Sequence, residues 1–135
     1  MPFMDTTALE VIERLPGWHR RYFHSPNMAF AHYDFRRGSS IHEHFHPQEE
    51  VYEVIDGELE LTIDGVTQVV RVGLVGIVPS NVRHSVKALS DGRAIIVDYP
   101  DPAPLDSNPQ QTPWRLLLSL LRQSFRVSFR MQTDT

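Results

Sequence analysis

Gly38-Ser39-Ser40-Ile41-His42-Glu43-His44-Phe45-His46-Pro47-Gln48-Glu49-Glu50-Val51-Tyr52-Glu53-Val54-Ile55-Asp56-Gly57 places three of the chain's seven histidines within five residues. In an extended strand, side chains two apart share a face, so His42, His44 and His46 are expected to project together. Glu43 and Phe45 then point the other way. Neutral imidazole nitrogens on one face suit Fe, Ni, Cu, Mn or Zn. Pro47-Gln48 lets the chain turn, so Glu49 or Glu50 can return to the same centre as an anionic ligand. A further ligand has to come from elsewhere. His84 is the candidate, because it follows the turn-rich Pro79-Ser80-Asn81-Val82-Arg83. An isolated histidine is ordinarily a solvated or core residue, and the clustering is what argues otherwise here.

Working outward, the pattern is that of short strands. Glu58-Leu59-Glu60-Leu61-Thr62-Ile63 alternates with period two, acids outward and aliphatics inward. Asp64-Gly65 follows as a hairpin signal, because a tight primed turn needs positive φ at both central residues. Further strands are expected over Trp18–His24, Met28–Phe35, Val51–Ile55, Val66–Val72, Ile77–Pro79, Val82–Leu89 and Arg93–Tyr99. Roughly eight to ten strands at this spacing mean an all-β sandwich or barrel. Ala8–Leu15 is expected to form a short N-terminal helix, capped by Thr6 or Thr7 and stopped by Pro16-Gly17.

The spacing resembles that of the cupin family. Gly38, His44, His46, Glu50 and Gly57 match the first cupin motif at every interval. Gly73, Pro79, Asn81 and His84 match most of the second, with Asn81 where the family usually has glycine and Ala88 where it often has asparagine. Asn tolerates left-handed backbone better than most residues, so the first departure is mild. The resemblance covers residues 18–100. It implies a cupin double-stranded β-helix, or jelly-roll barrel, with one divalent metal ion (Fe, Mn, Ni or Zn) on His44, His46, Glu50 and His84. On this reading Glu49 faces away, and Tyr52, on the parity of Glu50, reaches inward or builds the wall. His42 is a candidate catalytic group at the pocket mouth, or else a surface residue at the strand's start. Asp98 is a candidate general base, or else a strand-end turn cap.

The chain has 135 residues, enough for one core, and divides into an arm (1–17), a barrel (18–100), a proline-rich strap (101–113) and a tail (114–135). Five of the ten prolines fall between Pro100 and Pro113. Trp114–Thr135 holds four arginines and one acid, net +3, which leaves −7 of the total −4 on the first 113 residues. This basic tail, helical or extended, has three readings: packing on its own or a partner's barrel, lying on an anionic membrane surface, or fraying. The acidic barrel argues against nucleic acid as a partner, and it disfavours strongly anionic ligands unless Arg36, Arg37 or Arg83 lines the mouth. No apolar run is long enough to span a membrane, and no signal-peptide pattern opens the chain, so cytoplasmic residence is expected. A homodimer is expected, since small cupins tend to pair sheets and edge strands need covering.

Cysteine is absent, which excludes disulfide scaffolds, cysteine nucleophiles and cysteine-held zinc or iron–sulfur sites. A metal here is held by nitrogen and oxygen only, the donor set of catalytic sites. Three histidines and a carboxylate leave two octahedral positions for a small-molecule ligand or substrate. Three functions follow: dioxygenase chemistry on iron, isomerase or lyase chemistry on a polarised sugar-acid type substrate, or a non-catalytic small-ligand sensor. The stretch Val78–Leu89 also looks like small cupins that process unsaturated uronates. That resemblance implies an acid and a following arginine after the last strand, and here Asp98 is followed by no arginine before Arg115.

Overall fold

The computed structural model describes residues 2–102. Within them, one turn of 3-10 helix (Thr6–Ala8) precedes ten strands: β1 (Ile12–Leu15), β2 (Trp18–His24), β3 (Ala29–Phe35), β4 (Ser40–His44), β5 (Glu49–Asp56), β6 (Glu58–Ile63), β7 (Val66–Arg71), β8 (Val75–Val78), β9 (His84–Ala88) and β10 (Gly92–Tyr99). They form an antiparallel six-stranded sheet, β1-β2-β3-β10-β5-β8, and a four-stranded sheet, β4-β9-β6-β7. This is the expected jelly-roll barrel. The strap beyond Pro102 and the basic tail lie outside the described residues. Among the described residues, no helix is long and apolar enough to cross a membrane.

Strand parity sorts the side chains. On β6, Leu59 and Leu61 are buried while Glu58, Glu60 and Thr62 are not, as the alternation requires. The inner face of the six-stranded sheet is arranged in cross-strand rows. Trp18 pairs with Phe35 and Phe35 with Gly92, closing one end of the barrel with an aromatic layer. Trp18 is 1% exposed, and its ring lies 5.7 Å from that of Phe35. One inner position along stand Arg20, Tyr33, Ala94 and Val54; then Tyr22, Ala31, Ile96 and Tyr52; then His24, Ala29, Asp98 and Glu50. The barrel is thus apolar at one end and rich in titratable groups at the other. The outer face of the same sheet carries an apolar row, Phe23, Phe30, Val97, Val51 and Ile77, across five strands.

The expected helix over Ala8–Leu15 is not formed. Its first residue ends the 3-10 turn, which Asp5 caps in place of Thr6 or Thr7, and residues 12–15 pair with β2. Eight residues are too few to hold a helix without a packed face. The open edge of β2 offers backbone partners instead, so the distal part of the arm belongs to the sheet. Pro16-Gly17 makes the turn between the two strands, and Gly17 N–H donates to the Glu13 carboxylate at 3.0 Å. At the other end Asp101 is tied down twice. Its N–H donates to the Asn27 carbonyl at 2.8 Å, and its carboxylate lies 2.6 Å from His24 Nδ1.

Candidate metal centre

Both sheets deliver residues to one place. His44 at the end of β4 and His84 at the start of β9 are register partners in the four-stranded sheet. Glu50 on β5 and Asp98 on β10 are register partners in the six-stranded sheet. His46 sits in the connection between β4 and β5, where the chain crosses from one sheet to the other. Asn81 fastens that connection from the facing loop: its N–H donates to the His46 carbonyl at 2.8 Å. Asn81 has φ of 62°, the left-handed conformation that its place in the second motif demands.

The ring nitrogens of His44, His46 and His84 lie within 4.8 Å of one another, as do ligand atoms of His46, Glu50 and Asp98. His44 Nδ1 is 2.7 Å from the His42 carbonyl, His46 Nδ1 is 3.0 Å from the Gln48 carbonyl, and His84 Nδ1 is 2.9 Å from the Val82 carbonyl. A carbonyl only accepts, so each Nδ1 carries the hydrogen, and a ring in its neutral form turns an Nε2 lone pair inward. This is how metal-ligating histidines are oriented. His84 Nε2 and Glu50 Oε1 stand 3.2 Å apart, and His46 Nε2 and Glu50 Oε2 stand 3.4 Å apart. These contacts are ion pairs only if the rings are protonated. With neutral rings they are acceptors facing acceptors, and both His84 Nε2 and Glu50 Oε1 are buried without a hydrogen-bond donor. A cation among them turns these facing acceptors into ligands, so the donor set fits a divalent metal.

The electrostatics divide the cluster. Burial, with the neighbouring His84, pushes His44 down to about 4, so that ring is neutral near pH 7. Burial also opposes charge on His46, but its bonds to Glu50 and Gln48 hold it above the ordinary histidine value. Burial alone would raise Glu50; the adjacent His46, His84 and Asp98 hold it well below the usual carboxylate range. Asp98 goes the other way: burial, then the negative charge of Glu50, pushes it up to about 10. The pair therefore divides its roles, with Glu50 the anion and Asp98 the proton holder. Tyr52, 2% exposed, packs behind the cluster, its ring 6.4 Å from that of His84.

Of the residues expected from the sequence, His44, His46, Glu50, His84 and Asp98 converge, and Glu49 is exposed on the outside. His42 does not join them. Between Ile41 and His44 strand β4 spends three residues where β9 spends two, from Val86 to His84. This β-bulge breaks the two-residue parity. The His42 side chain lies instead in a cleft on the outer face of the four-stranded sheet, with Ser40, Glu60, Thr62 and Lys87. Its contribution to the centre is its carbonyl. Arg36 and Arg37 are also away from it, at the aromatic end, where Arg36 lies 3.9 Å from Asp91 and Arg37 N–H donates to the same carboxylate. Arg83 is at the histidine end, its guanidinium 5.2 Å from the Phe45 ring centroid. The residue that sequence reading missed is Arg20, whose inward position is signalled by the alternation Trp18, Arg20, Tyr22, His24 along β2.

Comparison with known proteins places these features in a family. The Cupin domain family model matches residues 31–99. A curated relative, polyketide synthase CurC of Streptomyces cyaneus, is 35% identical over 68 residues, which is 50% of this chain and 44% of that protein. The chain therefore spans less than half the length of this relative. Among solved structures, an RmlC-like cupin from Shewanella frigidimarina is similar at a TM-score of 0.69 and 24% identity, covering 74% of this chain and 91% of that one. KdgF from Halomonas sp. matches at 0.69 and 22%, covering 74% and 94%. A Bacillus subtilis oxalate decarboxylase variant matches at 0.65 and 19%, covering 72% of this chain and 29% of that one. At these identities the structural matches speak for the fold.

Proposed function

The chain belongs to the cupin domain family, and on that premise we propose that it holds one divalent metal ion, Fe, Mn, Ni or Zn, and acts on a small oxygenated organic molecule. The ligands we assign are His44, His46, Glu50 and His84. One observation carries the reading: three imidazoles, each held through Nδ1 to a backbone carbonyl, bring ring nitrogens within 4.8 Å of one another, and two of them, His84 and His46, set Nε2 at 3.2 and 3.4 Å from the buried Glu50 carboxylate. When bound, such a metal supplies Lewis acidity to a coordinated oxygen, or dioxygen chemistry if it is iron.

The chain's own residues do the rest. The carbonyls of His42, Gln48 and Val82 keep the ring tautomers fixed. Tyr52 and Leu61, both 2% exposed, keep water from the back of the site. Asp98 Oδ1 is buried without a hydrogen-bond partner beside Glu50, which leaves it able to give or take a proton at a bound molecule. That placement favours isomerase or lyase chemistry, where a proton moves, over dioxygenase chemistry. The homodimer and cytoplasmic residence belong to the same proposal; the apolar outer row ending at Ile77, 58% exposed, supports the former.

The test is metal analysis of the isolated protein, then turnover of diketones, catechols and uronates with and without oxygen. We expect close to one metal per chain and anaerobic turnover of a hydroxy- or keto-acid. Oxygen uptake would instead identify a dioxygenase. A co-purified ligand without turnover would identify a binding protein, and a metal-free chain under all loading conditions would refute the proposal.

A further inference from the structure

We propose that Arg20 is the anion-recognising group of the barrel and that the molecule it receives is a small carboxylate, seated between Arg20 and the histidine cluster. The inference deepens the metal-centre reading by naming a substrate class, and it stands on residues outside the ligand set.

Arg20 lies on the inner face of β2, paired with Tyr33. Two inner positions further along β2 is His24, in the row of Asp98 and Glu50. The Arg20 side chain leans toward that row: its guanidinium carbon is 4.5 Å from the centroid of the Tyr22 ring. The ring face holds the cation, and Tyr33 stands beside it as its register partner on β3. Beyond Tyr33, β3 presents only the small Ala31 and Ala29 on this face toward the His24 row.

The guanidinium is incompletely satisfied. Its Nε is buried and has no hydrogen-bond partner. No carboxylate of the described residues lies within ion-pair distance of Arg20. A half-buried guanidinium whose buried Nε has no partner leaves a donor idle, which is costly unless an anion completes it. The planar fork matches a carboxylate. A polyanion such as a phosphate ester fits worse, because Glu50 and Asp101 share this end of the barrel. A monocarboxylate with a second oxygen can offer one group to Arg20 and the other to the histidine side.

The test is calorimetric titration with glycolate and with its neutral near-isostere glycolamide, on metal-loaded and metal-stripped protein. Wild type is expected to bind glycolate about tenfold or more tightly than glycolamide in both preparations. Arg20→Met is expected to bring the ratio close to one with metal content unchanged, and Arg20→Lys to restore part of it. If Arg20 only balances the buried carboxylates, Arg20→Met lowers the melting temperature and keeps the wild-type ratio, which overturns the proposal. A wild-type ratio near one overturns it too, and needs no variant to fold. A chain that takes up no metal yet prefers glycolate refutes the metal reading and leaves Arg20 standing.

Discussion

Replacing His84 by alanine is expected to abolish metal binding in practice, with an affinity loss of at least about 100-fold. His84 is the most buried member of the cluster, 1% exposed, and joins the four-stranded sheet to Glu50 of the other sheet. Disturbing only the partners of a ligand typically costs 10–100-fold, so removing a ligand costs more. The consequence is visible without knowing the substrate. At a metal concentration about 100 times its dissociation constant, wild type gains about 2.7 kcal/mol, roughly 10 °C in melting temperature for a domain of this size. His84→Ala should show no such rise at the same concentration. His42→Ala should keep the full rise, because its side chain lies outside the barrel and the carbonyl that orients His44 survives the change. Melting curves with and without metal, together with elemental analysis, check both. Equal metal content in wild type and His84→Ala would refute the ligand assignment.

Asp98→Asn is expected to stabilise the metal-free protein while reducing turnover. Burial and the charge on Glu50 raise Asp98 from an ordinary 3.8 to about 10. Near pH 7 the unfolded chain has this carboxyl ionised, while the folded chain keeps it protonated, so folding takes up a proton. The contribution to stability is full below pH 3.8 and is lost progressively as pH rises toward about 10. Asparagine keeps the volume and an N–H donor for Glu50 without that cost. The depressed Glu50 offsets part of it, since the two carboxyls share one proton. A net gain of about 1–3 kcal/mol near neutral pH is expected. Melting of metal-free wild type and variant at pH 5 and pH 8 should show a larger gap at pH 8. A pH-independent gap, or a less stable variant at both values, contradicts the account. In the metal-loaded protein the gain should shrink, because a divalent cation favours ionised neighbours.

The chemistry of the centre was more legible in the sequence than its geometry. His44, His46, Glu50 and His84 stand out as a set through the resemblance to the cupin motifs; strand parity alone leaves His42 and Glu49 beside them. Asn81 could be read from its tolerance of left-handed backbone. His42 was misplaced because parity assumes an unbroken ladder, and the extra residue in β4 is a pairing property that neither strand shows alone. The arm was misread for a similar reason. The apolar pattern of residues 8–15 fits a helix or a strand, and the open edge of β2 decides. Arg20 is hard to read from sequence, because arginine in a strand ordinarily marks the solvent face. Its inward position follows from the alternation with Trp18 only once the aromatic layer is known. Asp98, left open between base and turn cap, is settled in position by its register with Glu50.

The central claim is that this barrel holds a metal on three imidazoles and one carboxylate. X-ray absorption or anomalous diffraction from the metal-loaded protein tests it most directly. The account predicts one metal bonded to Nε2 of His44, His46 and His84 at about 2.0–2.1 Å and to a Glu50 oxygen at about 2.0–2.2 Å. A metal bound through Nδ1, a metal sited away from His84 and Glu50, or a cluster that stays metal-free at saturating concentration would contradict it.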